Sequence, residues 1–135
     1  MPLLLDTGII YALADADDAW HRRAAEFLAS RREALLTTST VVAEAAYLIR
    51  DRLGAAAELV FARSLASREL PVEEILPSDW KRAAELLHSH PFLGLVDATV
   101  CAVAERLKLK VIATTDRRDF SRIRPKHVKS FELVP

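Results

Sequence analysis

The stretch Pro2-Leu3-Leu4-Leu5-Asp6-Thr7-Gly8-Ile9-Ile10-Tyr11-Ala12-Leu13-Ala14 decides the fold. Its apolar run 2–5 has the length and composition of a buried strand, Asp6-Thr7-Gly8 is a turn, and 9–14 has the apolar content of a brief helix. The unit is therefore strand, turn, helix. Working outward, the same alternation returns. Leu35 to Thr38 forms a second strand candidate. Ser39 or Thr40 caps a helix that carries Val41, Ala45, Leu48 and Ile49 and closes near Gly54. Before it, Asp17 or Asp18 caps a helix with Trp20, Ala24, Phe27 and Leu28 at helical spacing.

After a further helix marked by Ala55, Leu59, Ala62 and Ala66, Pro71 breaks the pattern and 72–76 is a third strand candidate, ended by Pro77. Ser78 then caps a helix with Trp80, Ala84 and Leu87. His90-Pro91 stops it, and 95–107 forms the next helix. The β-rich run 111–114 and the run 128–134 supply the last two strands. Strands separated by helices pair in parallel through right-handed crossovers, with helices on both faces, which predicts a three-layer α/β/α sandwich. Ligands of such sheets bind beyond the carboxyl ends of the strands. Asp6 and Asp116 follow the first and fourth strand candidates and so belong to one edge.

The chain of 135 residues fits a single domain with one core. It is 51% hydrophobic and 28% charged with only three glycines, a composition that excludes disorder. Trp20, Tyr47, Trp80 and Phe120 are assigned to the core. A single cysteine, Cys101, on an apolar helix face, is expected to be buried and inert. No signal peptide precedes Asp6, so a cytoplasmic location is expected. Glu44 interrupts the most apolar stretch, so no membrane span is expected. The net charge is zero, yet Arg117, Arg118, Arg122, Arg124, Lys126 and Lys129 cluster near the C-terminus while Asp15, Asp17 and Asp18 gather near the start. His21, His88 and His90 show no ligand-like grouping.

Four acids stand out. Glu44, three residues after Val41 and four before Leu48, is placed by the helical repeat on the apolar side. Asp97 opens an apolar helix in which Val100, Cys101 and Ala104 follow on the same face. Each acid alone has an ordinary explanation: a turn acceptor for Asp6, an edge residue for Glu44, a helix-start acid for Asp97, a loop acid for Asp116. Together they imply convergence, and converging carboxylates repel unless a cation neutralises them. Oxygen ligands without histidine or cysteine favour Mg²⁺, with Mn²⁺ as the alternative. One such ion, or a pair about 4 Å apart, suits phosphodiester hydrolysis. Thr7 and Thr114 offer hydroxyls to orient the carboxylates. Arg117, Arg118 and Arg122 offer charge for nucleic-acid phosphates.

The strand ending in Asp6-Thr7, Glu44 after Thr38-Ser39-Thr40, Leu95-Val96-Asp97-Ala98, and Thr114-Thr115-Asp116-Arg117-Arg118-Asp119-Phe120 resemble the PIN-domain nucleases, and within them the VapC toxins of toxin–antitoxin pairs. The resemblance runs over nearly the whole chain. It implies a five-stranded parallel sheet, a homodimer, a cognate antitoxin and a Mg²⁺-dependent endoribonuclease acting on tRNA, rRNA or mRNA. By resemblance Asp6, Glu44, Asp97 and Asp116 are metal ligands, supported by Thr7 and Thr114. Asp119 competes with Asp116 and is kept as an outer-shell candidate. The alternatives are an RNA-processing nuclease of the same fold, a phosphotransfer receiver domain, and a catalytically silent binding module. The receiver scheme needs an acid pair after the first strand and a late lysine, and gives Glu44 no place. Asp6-Thr7-Gly8 also matches the short signature of aspartic proteases, whose β-structure does not agree with alternating helices.

Overall fold

A computed structural model describes residues 1–135. Its strands β1 (Leu3–Leu5), β2 (Leu35–Thr38), β3 (Val72–Glu73), β4 (Val111–Ala113) and β5 (Glu132–Val134) form one sheet in the order β3-β2-β1-β4-β5. Every neighbouring pair is parallel, with Leu4 of β1 opposite both Leu36 of β2 and Ile112 of β4. All three leucines of β1 are buried, as a central parallel strand covered on both faces requires.

The chain builds β1, β2 and β3 outward in one direction, then returns past β2 and β1 to lay β4 and β5 on the other side. Right-handed crossovers running in opposite directions put their helices on opposite faces. Helices α1 (Thr7–Ala14), α2 (His21–Ser30), α3 (Ser39–Leu53) and α4 (Ala55–Ala66) belong to the outward path. Helices α5 (Pro77–Ser89), α6 (Leu95–Leu107) and the short α7 (Arg117–Ser121) belong to the return. Helix α1 packs on α2 and α3, α3 on α4, and α5 on α6. The expected three-layer α/β/α sandwich results, with its topological switch between β1 and β4, where a crevice opens at the carboxyl ends of the strands.

Several local expectations need correction. The third strand covers two residues instead of 72–76, and the fifth covers Glu132–Val134 instead of 128–134. The first helix starts at Thr7, immediately after Asp6. Helix α3 is capped by Thr38, whose hydroxyl accepts from the Val41 N–H at 3.2 Å, rather than by Ser39 or Thr40. Helix α2 has Trp20 at its cap; the Asp18 carboxylate is spent on the Trp20 N–H of the turn before it. At α5 the capping group is not Ser78. Pro77 is the first helical residue and the Asp79 carboxylate reaches back to the Leu76 N–H at 2.9 Å. Tyr47 and Trp80, expected in the core, are 69% and 44% exposed.

A single cluster of 27 buried apolar residues fills the interior, with Phe120, Ile112 and Ile49 among its largest members and alanines where helices cross closely. Cys101 is buried there, and that burial holds its thiol well above the usual range. Arg106 near the end of α6 grips the Asp79 carboxylate and Glu73, tying α6 to the start of α5 and to β3. No helix is long and apolar enough to cross a membrane.

Candidate metal centre

Asp6 leaves the end of β1 and caps α1, so its carboxylate lies at the switch crevice. One oxygen accepts the Thr7 N–H at 2.7 Å and the other accepts the Thr114 hydroxyl at 2.9 Å. Thr114, fully buried just past β4, uses the same oxygen to accept the Asp116 N–H at 2.9 Å. One hydroxyl thus fixes two acids from opposite ends of the chain. Asp116 in turn caps α7 and accepts the Asp119 N–H at 3.3 Å.

Carboxylate oxygens of Asp97, Asp116 and Asp119 lie within 4.8 Å of one another. Asp119 therefore joins the cluster alongside Asp116 instead of competing with it. Sequence reasoning assigned no helix after the fourth strand, so the three-residue spacing that puts both acids on one face of α7 went unused. Glu44 behaves otherwise. On α3 the buried positions are Val41, Ala45 and Ile49, and Glu44, about 100° around the helix from Ala45, is exposed. The expectation that it faces the core weighted Leu48 too heavily. Its charge still reaches the crevice, raising both Asp6 and Asp97.

Burial pushes Asp97 up to about 7, with the charges of Asp6, Asp116, Glu44 and Asp119 adding to it. Asp6 is pushed up to about 6, again by burial first, against the lowering effect of its two hydrogen bonds. None of these five acids is paired with a lysine or arginine. The chain supplies no cation of its own to the cluster. In the same crevice the buried Thr7 hydroxyl has no hydrogen-bond partner. Bonds of about 2.0–2.6 Å to a hard divalent cation span ligand separations of about 4–5 Å, so the three-acid cluster fits such an ion with little adjustment.

Sequence reasoning missed a chain of hydroxyls beneath the site. Thr38 and Thr40 are joined at 2.8 Å, Thr40 and Thr99 at 2.7 Å, and Thr99 donates to the Val96 carbonyl at 2.7 Å. Because that carbonyl can only accept, each hydroxyl in the row donates toward it. The row ties the start of α3, four residues before Glu44, to the start of α6, where Asp97 stands. It also missed Gly8, where an added Cβ would collide with the Thr115 hydroxyl in the loop that carries Asp116. Arg117 and Arg118 are exposed at the start of α7, directly after Asp116, and Arg122 is exposed at its end.

Residues 3–125 match the family model of the PIN domain. The chain is 31% identical to ribonuclease VapC26 of Mycobacterium tuberculosis over 135 residues, covering 98% of this chain and all of that protein. It superposes on the crystal structure of Mycobacterium tuberculosis VapC20, described as a toxin that cleaves the sarcin-ricin loop. That match has a TM-score of 0.81 and 28% identity, over 86% of this chain and 91% of that one. A toxin–antitoxin complex from Klebsiella pneumoniae shares the fold, with a TM-score of 0.72 and 21% identity over 90% of this chain and 92% of that one.

Proposed function

The chain belongs to the PIN domain family, and from that premise we propose that it is a metal-dependent endoribonuclease acting as the toxin of a toxin–antitoxin pair. The observation that carries this is the convergence of Asp97, Asp116 and Asp119 with no neutralising side chain. Asp6 backs the cluster and Glu44 stands at its rim, so that these acids together hold Mg²⁺, with Mn²⁺ as the other candidate. Such an ion, when bound, supplies the charge neutralisation and water activation that phosphodiester hydrolysis needs. The remaining work falls to the chain. Thr114 holds Asp6 and the backbone of Asp116 in register, so the acids need no rearrangement when the ion arrives. Asp97, whose carboxyl is pushed up to about 7, would hold such an ion in its ionised form. Arg117, Arg118 and Arg122 attract the RNA, whether tRNA, rRNA or mRNA.

The Klebsiella complex supports a cognate antitoxin as partner. An apolar groove of about 390 Å³ between α1, α4 and β2, lined by Leu13, Leu35, Val60 and Phe61 among others, would take an apolar segment of that antitoxin. A homodimer is proposed on the family relationship alone.

Purified protein is expected to cleave total cellular RNA with Mg²⁺ or Mn²⁺ and not with EDTA. Asp97→Asn should lower cleavage at least a thousandfold with an unchanged circular dichroism spectrum. Metal-independent cleavage would overturn the mechanism. Expression without an antitoxin is expected to arrest growth; an active nuclease that leaves growth untouched points to RNA processing instead.

A further inference from the structure

We propose that Arg122, stacked on Phe92 beside the acid cluster, is a platform for an unpaired nucleobase next to the cleaved phosphate. This rests on the ribonuclease reading and adds to it one residue pair that positions an unpaired base beside the scissile phosphate.

The guanidinium carbon of Arg122 lies 3.7 Å from the Phe92 ring centroid, while the other arginine–aromatic contacts, at Trp20, Phe27 and Tyr11, are longer at 4.6, 4.9 and 5.1 Å. At 3.7 Å the planar cation lies directly over the ring face. Phe92 is held from below, since it packs on the core and its edge meets the His90 ring at 5.7 Å and 89°. Arg122 is held from its backbone. Its N–H donates to the Asp119 carbonyl at 3.1 Å, and Phe120, two residues before it, and Ile123, the next residue, are both buried.

One face of the guanidinium therefore rests on Phe92 while the residue as a whole is exposed. No carboxylate claims it, whereas Arg22, Arg31, Arg50, Arg82 and Arg106 are all ion-paired. The position ties the pair to the chemistry: Arg122 closes the short helix α7 three residues after Asp119, and Phe92 is five before Asp97. A flat cation backed by a ring offers a stacking surface to a base, which a lysine at the same place cannot. A duplex keeps its bases stacked on one another and has none to offer.

The test uses the full chain in two parallel assays. Cleavage of total cellular RNA is measured with Mg²⁺. Binding is measured with the Asp97→Asn protein and a mixed-sequence oligoribonucleotide carrying 2-aminopurine, single-stranded or annealed to its complement. The platform predicts that the single strand binds more tightly than the duplex and that its 2-aminopurine fluorescence rises on binding, because the base leaves its stacked neighbours for the guanidinium. Arg122→Lys, which keeps the charge, should weaken single-strand binding about tenfold and abolish the rise. Phe92→Leu should do the same, and the surface variant Arg122→Lys decides the matter if Phe92→Leu fails to fold. An undiminished rise and full affinity with Arg122→Lys would reduce the arginine to a phosphate contact and overturn the platform, as would equal binding of the duplex. Cleavage by the parent without any rise defeats the platform alone. A rise without cleavage defeats the nuclease reading alone, and absence of both defeats both.

Discussion

A single hydroxyl, that of Thr114, joins Asp6, 108 positions before it, to the backbone of Asp116. Replacing it by valine leaves a buried carboxylate oxygen and a backbone N–H without their partner, which costs about 1–3 kcal/mol. It also removes one of the two hydrogen bonds that hold Asp6 down, so the Asp6 pKa rises further. Thr114→Val is therefore expected to lower the urea midpoint and to move the acid limb of the pH–rate profile upward, while Thr114→Ser keeps both close to the parent. An unshifted profile in the valine variant would show that Asp6 does not depend on this hydroxyl. Thr114 and the acids Asp6, Asp97 and Asp116 were legible in the sequence because strand ends and helix starts are local signals. Glu44 was misjudged because the direction of a helix face depends on which neighbours pack on it, and Val41, Ala45 and Ile49 outvote Leu48.

At the scale of elements, α1 starts so close to the loop after β4 that a Cβ at position 8 would collide with the Thr115 hydroxyl. Gly8→Ala must turn the Thr115 side chain and press on that loop, which carries Asp116. The expected outcome is a fall in cleavage of about tenfold or more, partly restored by adding Thr115→Ala, which removes the hydroxyl nearest the new methyl group; a double-mutant cycle measures the coupling. A cycle with no coupling would mean that the loop yields freely. Element type was readable for the strands and the six longer helices, whereas the short α7 (Arg117–Ser121) went unread and lengths were not fixed. As sequence, the runs 72–76 and 128–134 read as strands throughout, but only Val72–Glu73 and Glu132–Val134 find a neighbour to pair with. Strand length is set by the ladder, and residue preference alone cannot see it. Tyr47 and Trp80 have the same lesson: their size argues for burial, and their place on the outer sides of α3 and α5 decides otherwise.

For the whole molecule, the acid cluster makes stability depend on pH in an unusual direction. The carboxyls of Asp97 at about 7 and Asp6 at about 6 stand above the 3.8 of the unfolded chain, so between about pH 4 and 7 the folded state holds more protons. Their ionisation works against folding, and metal-free protein should lose stability as pH rises through that window. Glu33, held down to about 2 by Arg31, acts in the opposite sense but only below about pH 4.5. Thermal melts in EDTA are expected to fall by a few degrees from pH 5 to pH 8, and Mg²⁺ should raise the melting temperature more at pH 8 than at pH 5. Asp97→Asn should melt higher than the parent in EDTA at pH 8. A metal-free melting temperature that rises across this range would contradict the arrangement of the cluster.

The order β3-β2-β1-β4-β5 also governs when the molecule becomes dangerous. A nascent polypeptide reaching residue 110 already has the segments for β1, β2, β3 and six of the helices, yet it lacks Thr114, Asp116 and Asp119. On the proposed site, the acid cluster is complete only once the segment 111–119 has been made and β4 lies beside β1, so a chain truncated at residue 110 is expected to show no RNA cleavage.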